Sequence, residues 1–311
     1  MIGVLVLTPK FQYFIRMEIY MKKKSIYSNW MMLPAFLIFA VFFIIPNIGG
    51  FVLAFTDWNV YFMDDIRFIG FDNFKRLFTQ EIFWVSLRNT LYFAIVTVIM
   101  KNIIGFALAL LVSKASKFNV YLRTVMFMPV MISGIVISII FVSIYNPNTG
   151  LLNSFLRSIG LDFLAKGWLV DAKYAMTAIA AMEIWQWSGF NMVICIAGIQ
   201  SIPADYFEAA SIDGATWFQK LRFITIPLMI QSFTMTFVFS IIAGFKVFAQ
   251  VYGTTNGGPA DSTQVMATFL FRSFSHGEYG YSAAVGLIFM IVITLFSALF
   301  LIYLRKKEIE Y

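Results

Sequence analysis

The sequence predicts an all-α, polytopic membrane protein with six transmembrane helices, and three observations predict it. Of its 311 residues, 60% are hydrophobic and 13% charged, and the mean hydropathy of +0.80 lies outside the range of soluble domains. Six apolar stretches each reach the roughly 20 residues that a helix needs to cross the hydrocarbon core. Basic residues collect in alternate connecting loops, as they do on the cytoplasmic side of membrane proteins.

The stretches cover 31–55, 88–112, 122–145, 174–200, 228–250 and 281–304. Residues 1–29 are expected to form a cytoplasmic segment. Met1 to Leu7 is too short for a signal-peptide core, whereas Met21 is followed by Lys22, Lys23 and Lys24 and then by the first apolar stretch. The natural start is therefore expected to lie later than Met1. Lys114, Lys117 and Arg123 fill the loop after the second stretch, Lys220 and Arg222 the loop after the fourth, and Arg305, Lys306 and Lys307 follow the sixth. Both termini are expected in the cytoplasm, with 30–307 as the membrane domain and 308–311 as a short tail. In the opposite loops Arg67, Lys75 and Arg76 are interspersed with Asp64, Asp65 and Asp72. The net charge of +7 thus follows from topology rather than from a basic patch for nucleic acid. Cys195, the only cysteine, lies inside the fourth stretch, so no disulfide framework or thiolate metal site is expected. His276, the only histidine, reads as an ordinary residue of an outer loop, and no metal site is expected.

Between the fourth and fifth stretches, residues 202–229 read IPADYFEAASIDGATWFQKLRFITIPLM, a helix, a turn and a second helix. Pro203 suits a first helical turn, Gly214 a left-handed helix end, and Thr216 with Gln219 a capping box. Pro227 is expected to close the second helix. Glu208, Ala209 and Ala210 set one acid beside small side chains, followed by Asp213 and Gly214. An amphipathic helix resting on anionic headgroups carries lysine and arginine on its polar face. This one is acidic, which suits docking to a protein.

The run Glu208-Ala209-Ala210, Asp213-Gly214-Ala215 and Ile224-Thr225-Ile226-Pro227 resembles the EAA loop of bacterial ABC import permeases, with Ile226 where that family more often has leucine. The resemblance extends from about Trp30 to Lys307. Asn146 to Asn153, Gly198 to Pro203 and Asn256 to Pro259 look like the carbohydrate branch, and its first permease type more than its second. What it implies is a type I ABC importer transmembrane domain in the bacterial inner membrane, with the EAA coupling loop at 202–227. Glu208 would pair with a basic residue of the ATPase, and Ala209, Ala210, Asp213, Gly214 and Pro227 would shape the docked element. The implied partners are a second, similar permease, two ATPase subunits carrying ATP and magnesium, an extracytoplasmic sugar-binding protein, and membrane lipids. This chain itself is expected to bind no cofactor.

No GxxxxGK[ST] segment cradles phosphate, and no nucleophile, base and orienting acid share an aqueous segment, so the chain is not expected to be an enzyme. Glu183, Gln186, Trp187, Phe190, Asn191 and Ile194 recur at helical spacing on one face of the fourth stretch. Their mixture of hydrogen-bonding groups and rings suits the hydroxyl edges and C–H faces of a saccharide in the pathway. The alternative is that Glu183 and Gln186 bond to neighbouring helices. Lys101 is open to the same two readings, as a partner of Glu183 or as a contact for an anionic sugar. Lys246 is expected to snorkel, and Pro129, Gly134 and Gly189 to serve kinks and close packing. Rival functions are another import branch for amino acids, peptides or phosphate esters, a secondary transporter using Lys101 and Glu183 as a relay, and a membrane scaffold. The secondary transporter is disfavoured because the sequence shows no paired broken helices.

Overall fold

The computed structural model describes residues 29–61 and 63–305, so the expectations for residues 1–28, for the start site and for the 308–311 tail fall outside it. The chain divides after Val52 into two units. The first contains most of α1 (Trp30–Leu53), an apolar helix interrupted by a π turn at Ala40–Ile44. Pro46 follows that turn. A proline has no N–H to donate and its ring crowds the carbonyl four residues back. Widening the preceding turn relieves both problems, and the Ile45 N–H reaches Ala40 instead.

The second unit holds α2 (Asp72–Thr79), α3 (Glu81–Val112), α4 (Lys117–Phe127), α5 (Gly134–Ile144), α6 (Leu151–Ser158) and α7 (Ala172–Ser201). It continues through α8 (Ala204–Ile212), α9 (Trp217–Leu228), α10 (Ile230–Phe245), α11 (Ala249–Thr254), α12 (Met266–Ser275) and α13 (Tyr279–Arg305). Among the described residues, β pairing is confined to one antiparallel bridge, Thr56 with Phe68.

The two long helices α3 and α7 pack along each other, and small residues set how closely. A Cβ on Gly105 of α3 would lie 2.6 Å from that of Asn191 and 3.1 Å from the Met192 nitrogen. On α7, a Cβ on Gly189 would strike the Met126 carbonyl of α4. Around this pair lie three apolar clusters. One joins α3 to α10, α12 and α13 through Val98, Ile241, Phe269 and Val285. Another joins α5, α7 and α11 through Ile137, Ile179 and Val251. The third gathers Ala109, Val112, Ile196 and Met229 beneath the loop that leads to α8.

Two of the predicted single spans are divided. Residues 122–145 form α4 and α5, bent by 99°. Pro129 sits in a 3₁₀ turn, Met128–Met131, and Ile132 is extended, so the backbone leaves helical geometry in mid-span. Residues 228–250 hold α10 and part of α11, separated at Lys246 to Phe248, and α9 meets α10 at 66°. Pro227 lies in the last turn of α9, which ends at Leu228, as expected of the residue that closes that helix. The helix reaches that proline through a π turn at Leu221–Thr225, in the same register to it as the turn before Pro46. Pro203 stands one residue ahead of α8, at its N-cap. Among the described residues α1, α3 and α13 are long and apolar enough to cross a membrane, and up to five spans result if each bent pair is one. The 30-residue α7 is not among them, because Glu183, Gln186 and Asn191 lower its apolarity.

Gly189→Ala should lower the stability of the detergent-solubilised protein by about 1–3 kcal/mol, since the new methyl meets backbone that cannot yield. Gly49→Ala, where a Cβ meets nothing within 4 Å, is the control. Thermal unfolding checks both, and equal midpoints would refute the packing constraint.

Candidate functional site: an exposed loop and a buried polar cluster

The α8–α9 segment is built by its own local chemistry. The Ala215 N–H reaches Ala210 (2.9 Å) and the Gly214 N–H reaches Ser211 (3.2 Å), a Schellman end that needs the φ of +75° at Gly214. Thr216 and Gln219 then form a reciprocal capping box, at 2.7 and 3.4 Å. Lys220 Nζ donates to Ser211 Oγ (2.6 Å) and ties the two helices together. Glu208, Ala209, Asp213 and Gly214 are exposed, Ala210 and Pro227 half-buried. Beside them stand Ile212, 87% exposed, and Trp217, 68% exposed. The loop therefore presents acids, small residues and large apolar side chains at its surface, a composition suited to docking.

At the base of this segment Arg123 caps α3. Its guanidinium donates to the carbonyls of Val112 (2.6 and 2.9 Å) and Ser113 (2.8 Å), placing a cation at the negative end of a 32-residue helix.

Deeper in the unit, the polar residues of α7 meet those of α3 and α11. Lys101 Nζ lies 3.3 Å from Glu183 Oε1, and the two side chains are 2% and 3% exposed. Gln250 Nε2 donates to Glu183 Oε2 (2.6 Å) and to Gln186 Oε1 (3.1 Å). Gln186 Nε2 donates to the carbonyl of Ile132 (3.0 Å), the residue at which the α4–α5 span breaks. Asn191 and Asn102 both donate to Ser240 of α10, at 3.1 and 3.4 Å. Of the two readings open for Glu183, Gln186 and Lys101, the geometry supplies bonds between helices. Trp187 and Phe190 differ: both are half-buried, their rings meet edge to face at 6.1 Å, and Phe190 meets Phe239 at 5.9 Å. Gln250 and Ser240 were missed in the sequence, where a lone amide at the end of an apolar run gave the only signal. Lys246 caps α10 and is exposed.

Two of the segments that carry the carbohydrate resemblance, Asn146 to Asn153 and Asn256 to Pro259, are held by hydrogen bonds. Asn146 Oδ1 accepts from the Asn148 and Thr149 N–H groups at 3.0 and 3.1 Å, and Asn153 joins Pro147, Lys166 and Trp168. Asn256, Gly257, Ala260 and Asp261 all take positive φ. Their loop is held by Asn89 of α3, which donates to the carbonyls of Ser262 and Gln264 at 3.0 Å each.

Residues 101–308 match the family model described as binding-protein-dependent transport system inner membrane component. The chain belongs to that family. The permease is 34% identical over 274 residues to the diacetylchitobiose uptake system permease protein NgcF of Streptomyces coelicolor, covering 84% of this chain and 77% of that one. It is 30% identical over 287 residues to the multiple sugar-binding transport system permease protein MsmF of Streptococcus mutans, covering 91% and 97%. It also superposes with a TM-score of 0.75, at 26% identity, on a solved chain of the bacterial alginate ABC transporter in complex with alginate pentasaccharide-bound periplasmic protein, covering 87% and 91%. Its fold is that of a type I ABC importer transmembrane domain. The permease is accordingly a transport subunit rather than an enzyme, and the ATPase is a separate partner. The sequence argument against a secondary transporter needs correction, since two broken helices are present; family membership settles the question instead.

Lys101→Met should leave Glu183 as a lone buried charge and cost roughly 3–5 kcal/mol. Adding Glu183→Gln should restore most of the loss. Thermal unfolding of the two variants measures this, and a double variant no more stable than the single one would contradict the pairing.

Proposed function

We propose that the permease forms half of the translocation pathway of an ATP-driven sugar importer and is driven by a partner ATPase that grips the α8–α9 loop. The single observation that carries the coupling assignment is the exposure of Glu208 beside Ile212 and Trp217 on a helix-turn-helix fixed by its own caps. An ion pair from Glu208 would give the docked element direction, and the small residues Ala209 and Ala210 would allow close approach. Asp213, Gly214 and Pro227 would set its shape. ATP and magnesium belong to the ATPase, and a second, similar permease completes the pathway. The relatives named for diacetylchitobiose and for multiple sugars support a saccharide as cargo.

Within the membrane, Trp187 and Phe190 are the pathway residues of this reading. Their rings suit the C–H face of a sugar, and they are less buried than their neighbours. Lys101, Glu183, Gln186 and Asn191 border the same face and hold it in place. The loops bearing Lys114, Lys220 and the C-terminal basic residues lie in the cytoplasm, as do both termini, and α4–α5 and α10 with the start of α11 count as single spans of a six-helix domain. Alternating access follows if ATP binding moves α8, because α7 runs into it through only Ile202 and Pro203. The docked element then favours one pathway state over the other.

Glu208→Ala should weaken ATPase association and sugar uptake at least about tenfold, the loss typical of one partner removed from an interfacial charge pair. Membrane insertion should be unchanged. Co-purification of the ATPase and uptake by proteoliposomes provide the check, and wild-type values in both would reject the assignment.

A further inference from the structure

At the end of α3 remote from the α8–α9 loop, a cavity of about 550 Å³ opens between residues 57–61, α2 and the turn from α12 to α13. Its walls are tied together before anything binds. The Val60 N–H donates to Gly277 and the Gly280 N–H to Trp58, each at 2.8 Å. Gly277 takes a φ of +79°, and a Cβ there would collide with Val60. The buried Asn73 amide donates to the carbonyls of Ala54 (2.9 Å) and Thr56 (2.8 Å), and Tyr281 Oη donates to Gln80 Oε1 (2.7 Å) just ahead of α3. A preformed hollow of this size falls within the roughly 300–1,000 Å³ typical of small-molecule sites.

Its chemistry is selective. Three carboxylates line it, and each has one oxygen already engaged: Asp57 by the Arg67 N–H (2.8 Å), Asp72 by Lys75 (2.8 Å) and Glu278 by Arg76 (2.7 Å). Among the described residues the second oxygen of each carboxylate has no hydrogen-bond donor. The lining cation, Arg76, is doubly committed, since it also lies 4.2 Å over the Tyr281 ring. No group of three or more carboxylate, histidine or cysteine side chains among the described residues is placed to hold a metal ion. Trp58 and Tyr61 add aromatic rings to the wall. Fixed acceptors beside ring faces, with Arg76 committed and His276 the other basic side chain in the lining, suit a ligand that donates hydroxyls and presents an apolar face. They repel an anion.

We propose that this cavity binds an uncharged sugar ring, with hydroxyls donating to the free oxygens of Asp57, Asp72 and Glu278 and a C–H face against Trp58 or Tyr61. It is a second saccharide site, separate from the face of α7 by most of the length of α3, about 48 Å for its 32 residues. The proposal rests on the sugar-import reading given above.

The test uses the whole importer with its ATPase subunits in lipid nanodiscs, without binding protein. It is titrated with maltotriose, cellotriose, lactose, di-N-acetylchitobiose and trigalacturonate, followed by saturation-transfer NMR. Uptake of the same sugars by proteoliposomes containing the binding protein is measured alongside. At least one neutral sugar that is taken up should bind saturably, and Tyr61→Ala and Asp72→Asn should each weaken that binding at least tenfold. Trigalacturonate should not compete. Tyr61 is 82% exposed, so its loss cannot act through unfolding. Uptake of a neutral sugar whose binding is absent, or unaltered in both variants, overturns the cavity and leaves the importer reading standing. Competition by trigalacturonate at equal strength also overturns it. If no sugar is taken up, the importer reading fails and the cavity proposal with it.

Discussion

A bilayer offers no water to a loose carbonyl or an unpaired charge, so every break in a membrane helix must find its partners inside the protein. Here the break between α4 and α5 frees the carbonyl of Ile132, and Gln186 supplies the donor. Gln186 in turn accepts from Gln250, which also donates to Glu183, which pairs with Lys101. One chain of contacts thus joins α3, α7, α11 and the kink. Remove the break and Gln186 has no reason to be buried. Remove Lys101 and Glu183 becomes a charge that the interior cannot hold.

In the proposed coupling, this chain of contacts would carry a movement of the α8–α9 loop into the helix bundle. Helix α7 carries Glu183, Gln186 and Asn191 and leads into α8 with only Ile202 and Pro203 between. Helix α3, gripped by Arg123 at one end and by the Gln80 contact at the other, supplies Lys101 midway. A displacement of α8 would therefore reach a connected cluster in which Glu183 and Gln186 each have two partners. Such clusters switch between discrete arrangements rather than deform smoothly, which is what a two-state transporter requires.

The parts of this protein that were legible in the sequence are those governed by local rules. Gly214, Thr216 and Gln219 announced a turn and a cap because each acts on backbone within a few residues. The long apolar helices were legible because hydropathy needs no knowledge of neighbours. The bend at Pro129 was legible as a kink but not as a 99° corner, where the carbonyl of Ile132 is met by Gln186, 54 positions after Ile132 and on another helix. The aromatic and polar residues of α7 shared a predicted face, yet periodicity could not separate Glu183 and Gln186, which bond across helices, from Trp187 and Phe190, which do not. Gln250 was invisible for the same reason. Its meaning lies in partners that only the fold brings near.

The two π turns, before Pro46 and before Pro227, have the same register to their prolines. A π turn houses one residue more than the α-helix would at that place, so it resets angular phase as well as relieving a clash. One residue corresponds to about 100° of rotation at 3.6 residues per turn. Deleting a single residue between Leu221 and Thr225 would therefore leave the Gly214 turn, the Thr216–Gln219 cap and the Lys220–Ser211 contact intact while turning that segment about the axis of α9. Glu208 would keep its chemistry and point somewhere else.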